Sequence, residues 1–352
     1  MMIPLYKPHM PTLPLIQEIL DSGNLAYGNY GREFEKKIGD YIENKNIITT
    51  NAYNMAILVA MSTLDIKSGD SVIASPMTCL ASSQPLISMG INIIWADINP
   101  KTGTLCPDSV KNKIGINCKA IIHNHYCGHV GFIDEINNIG REKGIPVIDD
   151  CIEAFGSEYK GNKLGNVGTD VTIFSFNPVR IPNTLDGGAV VFKNENLYKK
   201  SLLVRDAGID RSCFRDELGE INPLCDIKLI GHSATMGEVN SYIGTRQMEQ
   251  VENLIKIQRE NASVWCEELA NSLDIVPINN QEGKPNYWVY GVLAKNKRDT
   301  IIKYRKLGYY SSGVHINNDI YSVFKSKDCN LSGVNEFNDQ FVALPTGWWF
   351  NK

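Results

Sequence analysis

Two adjacent acids, Asp149 and Asp150, close a short apolar run, and a third acid, Glu153, follows three positions later. Ligands of open α/β sheets bind where the strands end, so we expect these carboxylates to lie at a binding edge. A carboxylate there can pair with a protonated ring nitrogen and so make a pyridine cofactor an electron sink. A pair of metal ligands and a helix N-cap are the alternatives for the same residues.

A hydroxyl and a guanidinium come together in a second segment of the chain. Ser175 ends another apolar run, and Arg180 follows it across a turn, ahead of Gly187 and Gly188. A hydroxyl and a turn at a strand end suit a phosphate, and an arginine is a good anion ligand. An ordinary strand–turn–strand with a surface arginine is the alternative.

A polar loop, residues 49–54, leads into a helix pattern at Tyr53 and Asn54. Helix N-termini bind phosphate through their free N–H groups. Asn54 is equally suited to be a plain N-cap.

His123, His125, Cys127 and His129 form a local cluster of possible metal ligands. Alternate residues of a strand point the same way, so His123 and His125 share a face. Zinc sites need further ligands, and no carboxylate or cysteine stands at a convincing spacing. We therefore predict no metal; one histidine lines a pocket and the others are structural.

Short apolar runs alternate with helix patterns over residues 45–195, which predicts a mainly parallel sheet covered on both faces. Candidate helices lie at 54–64, 78–89 and 132–143. The predicted strands are residues 71–74, 91–96, 120–123, 146–148, 171–174 and 188–192.

The pattern changes in the second half of the chain. A long helix is predicted over about 237–271, then a strand at 287–294, a helix at 298–307 and another strand at 309–314. We predict a large α/β domain, 1–245, and a small α+β domain, 246–352. Helices are also predicted at 11–22 and 31–44, and the sequence leaves open which of the two domains they pack against.

The amino-acid composition indicates which classes of binding partner are excluded. The 352 residues are 43% hydrophobic and 21% charged with a net charge of −4, which argues against nucleic acid or an anionic membrane. No apolar run approaches a membrane span of roughly 20 residues, and the start lacks a signal-peptide pattern. Nine cysteines without a framework spacing favour free thiols, so we expect a cytoplasmic protein.

Taken together and in this order, the segments resemble the DegT–StrS family of fold-type I pyridoxal-phosphate (PLP) enzymes, the nucleotide-sugar aminotransferases. The resemblance spans nearly the whole chain. Its segments include Gly69-Asp70-Ser71, Trp95-Ala96-Asp97, His125 with Gly128, Ile148-Asp149-Asp150, Phe174-Ser175-Phe176, Gly187-Gly188-Ala189, Gly208-Ile209-Asp210-Arg211 and Leu344-Pro345-Thr346-Gly347.

The resemblance implies a role for each candidate residue. Asp150 would pair with the pyridinium nitrogen, Ser175 would bind phosphate, and Glu153 would lie beside the ring hydroxyl. It also implies a homodimer with a shared active site and a nucleotide-linked sugar as the ligand. The remaining implied residues are Tyr53, Asn54, Cys79 and, from the partner, Ser233 at the cofactor, and His315 and Asn317 at the substrate.

The chain departs from the family pattern inside the site. Arg180 stands where the family has the lysine that forms the Schiff base, and an arginine stays protonated, so it is neither nucleophile nor base. Tyr53-Asn54 stands in place of Gly-Thr in the phosphate loop. Ser233 replaces an asparagine and Asn317 an arginine.

Three functions remain open from the sequence. The first is an aminotransferase-like protein of nucleotide-sugar and surface-polysaccharide biosynthesis, in which PLP or its amine form PMP is held noncovalently and ordinary transamination is doubtful because of Arg180. The second is a PMP-dependent sugar dehydratase with His125 or His315 as its base. The third is a noncatalytic homologue that acts as a binding or scaffold subunit, with no cofactor as one alternative.

Overall fold

The computed structural model describes residues 2–278, 282–324 and 330–350. The strands are β1 (Ile47–Thr50), β2 (Ser71–Ala74), β3 (Asn92–Trp95), β4 (Cys118–Asn124), β5 (Val147–Cys151), β6 (Glu158–Tyr159), β7 (Asn162–Lys163), β8 (Val171–Ser175), β9 (Gly188–Phe192), β10 (Ile275–Pro277), β11 (Gly283–Lys284), β12 (Tyr290–Ala294) and β13 (Phe341–Leu344).

Helices surround these strands. They are α1 (Ile16–Asp21), α2 (Asn29–Ile42), α3 (Tyr53–Thr63), α4 (Leu80–Ser88), α5 (Pro107–Lys113), α6 (Ile133–Lys143), α7 (Glu195–Arg205), α8 (Glu238–Met248), α9 (Val251–Leu269), α10 (Lys297–Lys306) and α11 (Ser332–Gln340). No helix among the described residues is long and apolar enough to cross a membrane.

A seven-stranded sheet forms the centre of the molecule, in the order β1-β9-β8-β5-β4-β2-β3. All its strands run parallel except β9, which pairs antiparallel with both β8 and β1. Helices cover both faces, which explains why the strands are apolar throughout. The prediction of a mainly parallel sheet is confirmed. Strand β1 was not predicted, because Thr49 and Thr50 were assigned to the polar loop before α3.

Helix α3 packs closely on the sheet because β9 begins with a glycine. A Cβ at Gly188 would lie 3.0 Å from the Cα of Tyr53 and 3.1 Å from the Cβ of Ala56. This contact fixes the start of α3 beside the C-terminal edge of β8.

The second half of the chain corrects two predictions. The long helix predicted over about 237–271 is two helices, α8 and α9, since α8 packs on α2 whereas α9 packs on β10. The predicted strand at 309–314 makes only isolated bridges, of Tyr309 with Ile3 and of Ser312 with Ala343. The small sheet is instead β10-β12-β13.

The N-terminal helix α2 packs with the large sheet through a buried ion pair. The Arg205 guanidinium on α7 contacts the Glu35 carboxylate on α2, which also accepts hydrogen bonds from the Thr49 N–H at 2.8 Å and hydroxyl at 2.9 Å. The residue ranges of the two domains, 1–245 and 246–352, stay a prediction.

The eight cysteines that the structure describes are free thiols. Two of them approach each other, with Cys213 Sγ 2.8 Å from Cys225 Sγ.

Candidate functional site

The C-terminal ends of β5 and β8 bring the predicted acids and Ser175 to one edge of the sheet. Asp149 and Asp150 are consecutive in β5, so their side chains point to opposite faces. Strand pairing sets His123 opposite Asp149 and Asn124 opposite Asp150. The two carboxylates therefore belong to two separate polar clusters.

Asp150 lies in a closed network of hydroxyl groups. Its Oδ1 accepts a hydrogen bond of 2.6 Å from the Tyr53 hydroxyl and one of 3.2 Å from the Ile152 N–H. Its Oδ2 accepts a 2.9 Å hydrogen bond from Thr78, and Ser82 Oγ lies 3.0 Å from the Tyr53 oxygen. Both oxygens of this carboxylate are thus satisfied by the chain's own donors.

Tyr53 donates to Asp150 from the first turn of α3. Burial raises its pKa well above the ordinary value of a phenol, and the Asp150 carboxylate raises it further. The phenol therefore keeps its proton at neutral pH and remains a donor. Because the tyrosine is 4% exposed, its ring fills the space between the start of α3 and the end of β5.

Arg180 forms the second feature of this edge, together with Glu153 and His315. Its Nη2 lies 3.5 Å from Glu153 Oε1, and His315 Nε2 lies 2.8 Å from the same oxygen. The guanidinium stacks 4.2 Å above the Trp288 ring, whose indole N–H donates to the Val179 carbonyl. Arg180 is therefore held on two sides.

The charges of this cluster offset one another only in part. Burial acts to raise the pKa of Glu153, but His315 and Arg180 outweigh it and hold the pKa below its ordinary value. The Cys127 N–H also donates to Glu153, at 2.8 Å. Arg180 is 7% exposed, and its Nε and Nη1 have no hydrogen-bond partner among the described residues. Two donors of a fixed cation thus remain for an anionic group.

The histidines form a separate cluster on the opposite face of β5. His125 Nε2 lies 3.1 Å and His123 Nδ1 3.3 Å from Asp149 Oδ1. Burial opposes ionisation of Asp149, but these two histidines outweigh it and keep its pKa well below the ordinary value. Asp149 is the carboxylate partner that sequence spacing did not reveal, since it lies on the neighbouring strand.

This cluster serves the core rather than the ligand edge. His125 is 1% exposed, and its Nδ1 accepts a 3.0 Å hydrogen bond from the Gly131 N–H. His129 is also buried, and burial lowers its pKa to about 4. The three side chains His123, His125 and Asp149 have their ligand atoms within 4.8 Å of one another, but they are fully enclosed.

The other predicted residues are spread over the edge. Ser175 is buried, with its hydroxyl 3.4 Å from the Asn177 N–H, while Asn54 and Ser233 are exposed. Cys79 is half-buried just before α4, and burial raises the pKa of its thiol.

Asn317 is engaged away from Arg180. Its Nδ2 donates to Asp319 at 2.6 Å, and its Oδ1 accepts from Asn338 at the same distance. These two bonds hold the Asn317 side chain between Asp319 and Asn338.

Sequence reasoning missed Thr78, Ser82 and Trp288 as members of the site. Thr78 follows β2, the neighbour of β4, so its place after an apolar run was the available signal. Nothing local marked Trp288, which is remote from Arg180 in the chain but stacks against its guanidinium.

The fold and the acid at the end of β5 define an aminotransferase-type α/β protein. The chain belongs to the DegT/DnrJ/EryC1/StrS aminotransferase family, whose model matches residues 11–347. It is similar to GDP-perosamine synthase of Escherichia coli O157:H7, with 29% identity over 84% of this chain and 79% of the relative.

Solved structures of sugar aminotransferases have the same fold as this chain. Sugar aminotransferase CalS13 from Micromonospora echinospora superposes with a TM-score of 0.93, at 27% identity over 100% of this chain and 96% of that one. A putative sugar aminotransferase from Streptococcus pneumoniae, solved in its PLP form, has the same fold with a TM-score of 0.89 at 20% identity, covering 100% and 95% of the two chains. The chain is thus sugar-aminotransferase-like throughout.

Proposed function

We propose that the protein binds a nucleotide-linked sugar in nucleotide-sugar biosynthesis, and that it does so without Schiff-base transamination at residue 180. The observation that carries the proposal is the Arg180 cluster. The side chain is a permanent cation, buried at 7% exposure, stacked on Trp288 and paired with Glu153. Such a group binds anions well and cannot form an imine under physiological conditions.

The ligand class follows from the family and the charges at the edge. The relatives are named as sugar aminotransferases and as a GDP-perosamine synthase, whose product name carries a nucleoside diphosphate. The free Nε and Nη1 of Arg180 are donors with the fixed geometry that suits a phosphate or carboxylate oxygen. We propose that Arg180 supplies one anion contact to such a ligand.

The dehydratase alternative loses one of its two candidate bases. His125 is enclosed and faces Asp149, on the side of β5 opposite to Asp150. His315 remains beside the edge with a side chain 18% exposed, but its Nε2 is engaged by Glu153. No other observation favours dehydration, so sugar binding is the function the geometry supports best.

Calorimetric titration of the purified protein with GDP-mannose, UDP-glucose and dTDP-glucose tests the proposal. We expect saturable binding of at least one of them, tighter than that of the free nucleoside diphosphate, and weaker binding in Arg180→Gln. Arg298→Gln, on the outer helix α10, is the matched control and should bind as the wild type does. Absence of binding to all three, in a folded protein, would overturn the proposal.

We further propose a homodimer. The segment between α7 and α8 exposes large apolar side chains: Leu218 is 87%, Leu224 89% and Ile230 89% exposed. Apolar surface of this extent marks an interaction site, and a second copy of the chain is the partner the family resemblance implies. The segment also carries Ser233, which the resemblance places at the partner's site.

A further inference from the structure

We propose that the side chain of Tyr53 occupies the place of a pyridoxal cofactor, so that the protein binds neither PLP nor PMP. The inference concerns the cofactor alone and does not depend on which nucleotide sugar binds. It starts from the two anchor points that such a cofactor requires in this fold: a carboxylate for its ring nitrogen and a helix start for its phosphate.

One side chain spans both anchor points. The backbone of Tyr53 is the first residue of α3, the helix start in question, and its hydroxyl reaches the Asp150 carboxylate at 2.6 Å. The aromatic ring lies between the two. A six-membered ring with a hydrogen-bond donor at its far end is thus already built into the chain.

The Asp150 carboxylate is buried, and both of its oxygens accept hydrogen bonds from the chain. The Tyr53 hydroxyl and the Ile152 N–H approach Oδ1, and Thr78 approaches Oδ2. Asp150 is 3% exposed and Thr78 7%. A pyridinium nitrogen would have to displace a short hydrogen bond to a charged acceptor, which is among the stronger kinds of hydrogen bond.

Tyr53 is held both at its backbone and at its hydroxyl group. Residue 188 approaches Tyr53 so closely that a Cβ there would lie 3.0 Å from its Cα, and Ser82 holds the phenol oxygen from the side at 3.0 Å. Leaving the site would expose a ring that is now 4% exposed and break both polar contacts. The residues present therefore do not fit the cofactor.

The covalent anchor is missing independently. Arg180 stands at the position of the Schiff-base lysine, and its guanidinium is stacked on Trp288 and paired with Glu153. Both the noncovalent and the covalent means of holding the cofactor are thus replaced by contacts within the chain.

Equilibrium dialysis with PMP tests the inference, since PMP, unlike PLP, does not react with surface lysines. We expect no saturable binding of PMP to the wild type up to about 1 mM. Tyr53→Ala should bind PMP at least tenfold more tightly than the wild type, because it opens the ring position and frees Asp150. Tyr53→Thr is a second opening variant, in case the first does not fold.

Two controls assign the gain to the ring position. Tyr53→Phe keeps the ring in place and should bind no PMP. Asp150→Asn added to the opening variant should remove the gain, because the pyridinium partner is lost. Saturable PMP binding by the wild type below about 1 mM would overturn the inference, as would opening variants that are folded by circular dichroism and bind no better. Nucleotide-sugar binding, measured without PMP, separates this outcome from that of the proposed function.

Discussion

At the residue scale, the proposed chemistry of the site depends on two residues, Tyr53 and Arg180, that are more than 120 positions apart in the chain. The Tyr53 hydroxyl donates a hydrogen bond to the Asp150 carboxylate. The Arg180 guanidinium forms an ion pair with Glu153, at the position where the family resemblance implies a lysine amine. Each of the two side chains contacts an acid that the family resemblance assigns to the cofactor, although Nε and Nη1 of Arg180 have no partner among the described residues. Because Tyr53 contacts Asp150 and Arg180 contacts Glu153, we infer that the acids of the site bind side chains of the chain itself instead of a cofactor.

Replacing Tyr53 by phenylalanine should lower the free energy of unfolding. The variant keeps the ring but leaves a buried carboxylate short of one donor, which costs about 1 to 3 kcal/mol. Urea denaturation measures the change. Tyr310→Phe, at a tyrosine 41% exposed, is the control and should stay within about 0.5 kcal/mol of the wild type. Equal stability of the two variants would contradict the hydrogen bond.

Acid should destabilise the protein through His129. Burial lowers its folded-state pKa from 6.5 to about 4, so the unfolded chain takes up a proton that the folded chain does not. The stability is complete above pH 6.5 and is lost as the pH falls from there toward 4. Between pH 7 and pH 5 the wild type should lose about 2 kcal/mol more than His129→Leu, as measured by urea unfolding. An identical pH dependence of the stability of the two proteins would show that His129 does not cause the loss of stability in acid.

The sequence allowed Asp150, Glu153, Ser175 and Arg180 to be predicted as neighbours, because each follows a strand of one parallel sheet. The bond between Tyr53 and Asp150 was not predictable in the same way. Its two residues are 97 positions apart, and the sequence indicates only that Tyr53 stands in a loop where the family resemblance implies a glycine.

At the element scale, the position of α3 against β9 decides where the Tyr53 ring lies. The contact depends on Gly188, at the first residue of β9. The short strand β1 on the far side of β9 adds to this support. Helix α3 therefore has little freedom to move away and admit another ring.

Gly188→Ala should destabilise the protein and loosen this contact. The added methyl group would meet backbone at 3.0 Å, and overpacking of this kind costs about 1 to 3 kcal/mol. Gly115→Ala is the matched control, because a Cβ there meets nothing within 4 Å. Thermal unfolding of both variants is the measurement, and an undisturbed Gly188→Ala would show that α3 is free to shift.

Strands of the large sheet were predictable because burial on both faces leaves continuous apolar runs. The sequence of β9 is a continuous apolar run like those of the parallel strands, so the sequence did not indicate that β9 runs antiparallel. The small sheet was harder to predict, because its third strand, β13, is remote in sequence from β12. In addition, the local pattern at 309–314 indicated a strand that is not formed.

At the scale of the whole molecule, the apolar segment before α8 determines the expected assembly. Light scattering during size-exclusion chromatography should give the mass of a dimer. The double variant Leu218→Asp with Leu224→Asp should be monomeric, since it places two charges in the interface. Leu273→Asp, at a residue 86% exposed outside the segment, should remain dimeric. A monomeric wild type would contradict the assembly.

The family model and the fold of solved relatives match the chain along nearly its whole length. We propose that Arg180 takes the place of the lysine that forms the Schiff base. The intact mass of the protein after incubation with PLP and borohydride tests that claim most directly. We predict no stoichiometric adduct that maps to one lysine, because Arg180 cannot form the imine. An added mass of one PLP per chain, found by peptide digest on a single lysine, would contradict the account and restore covalent transamination.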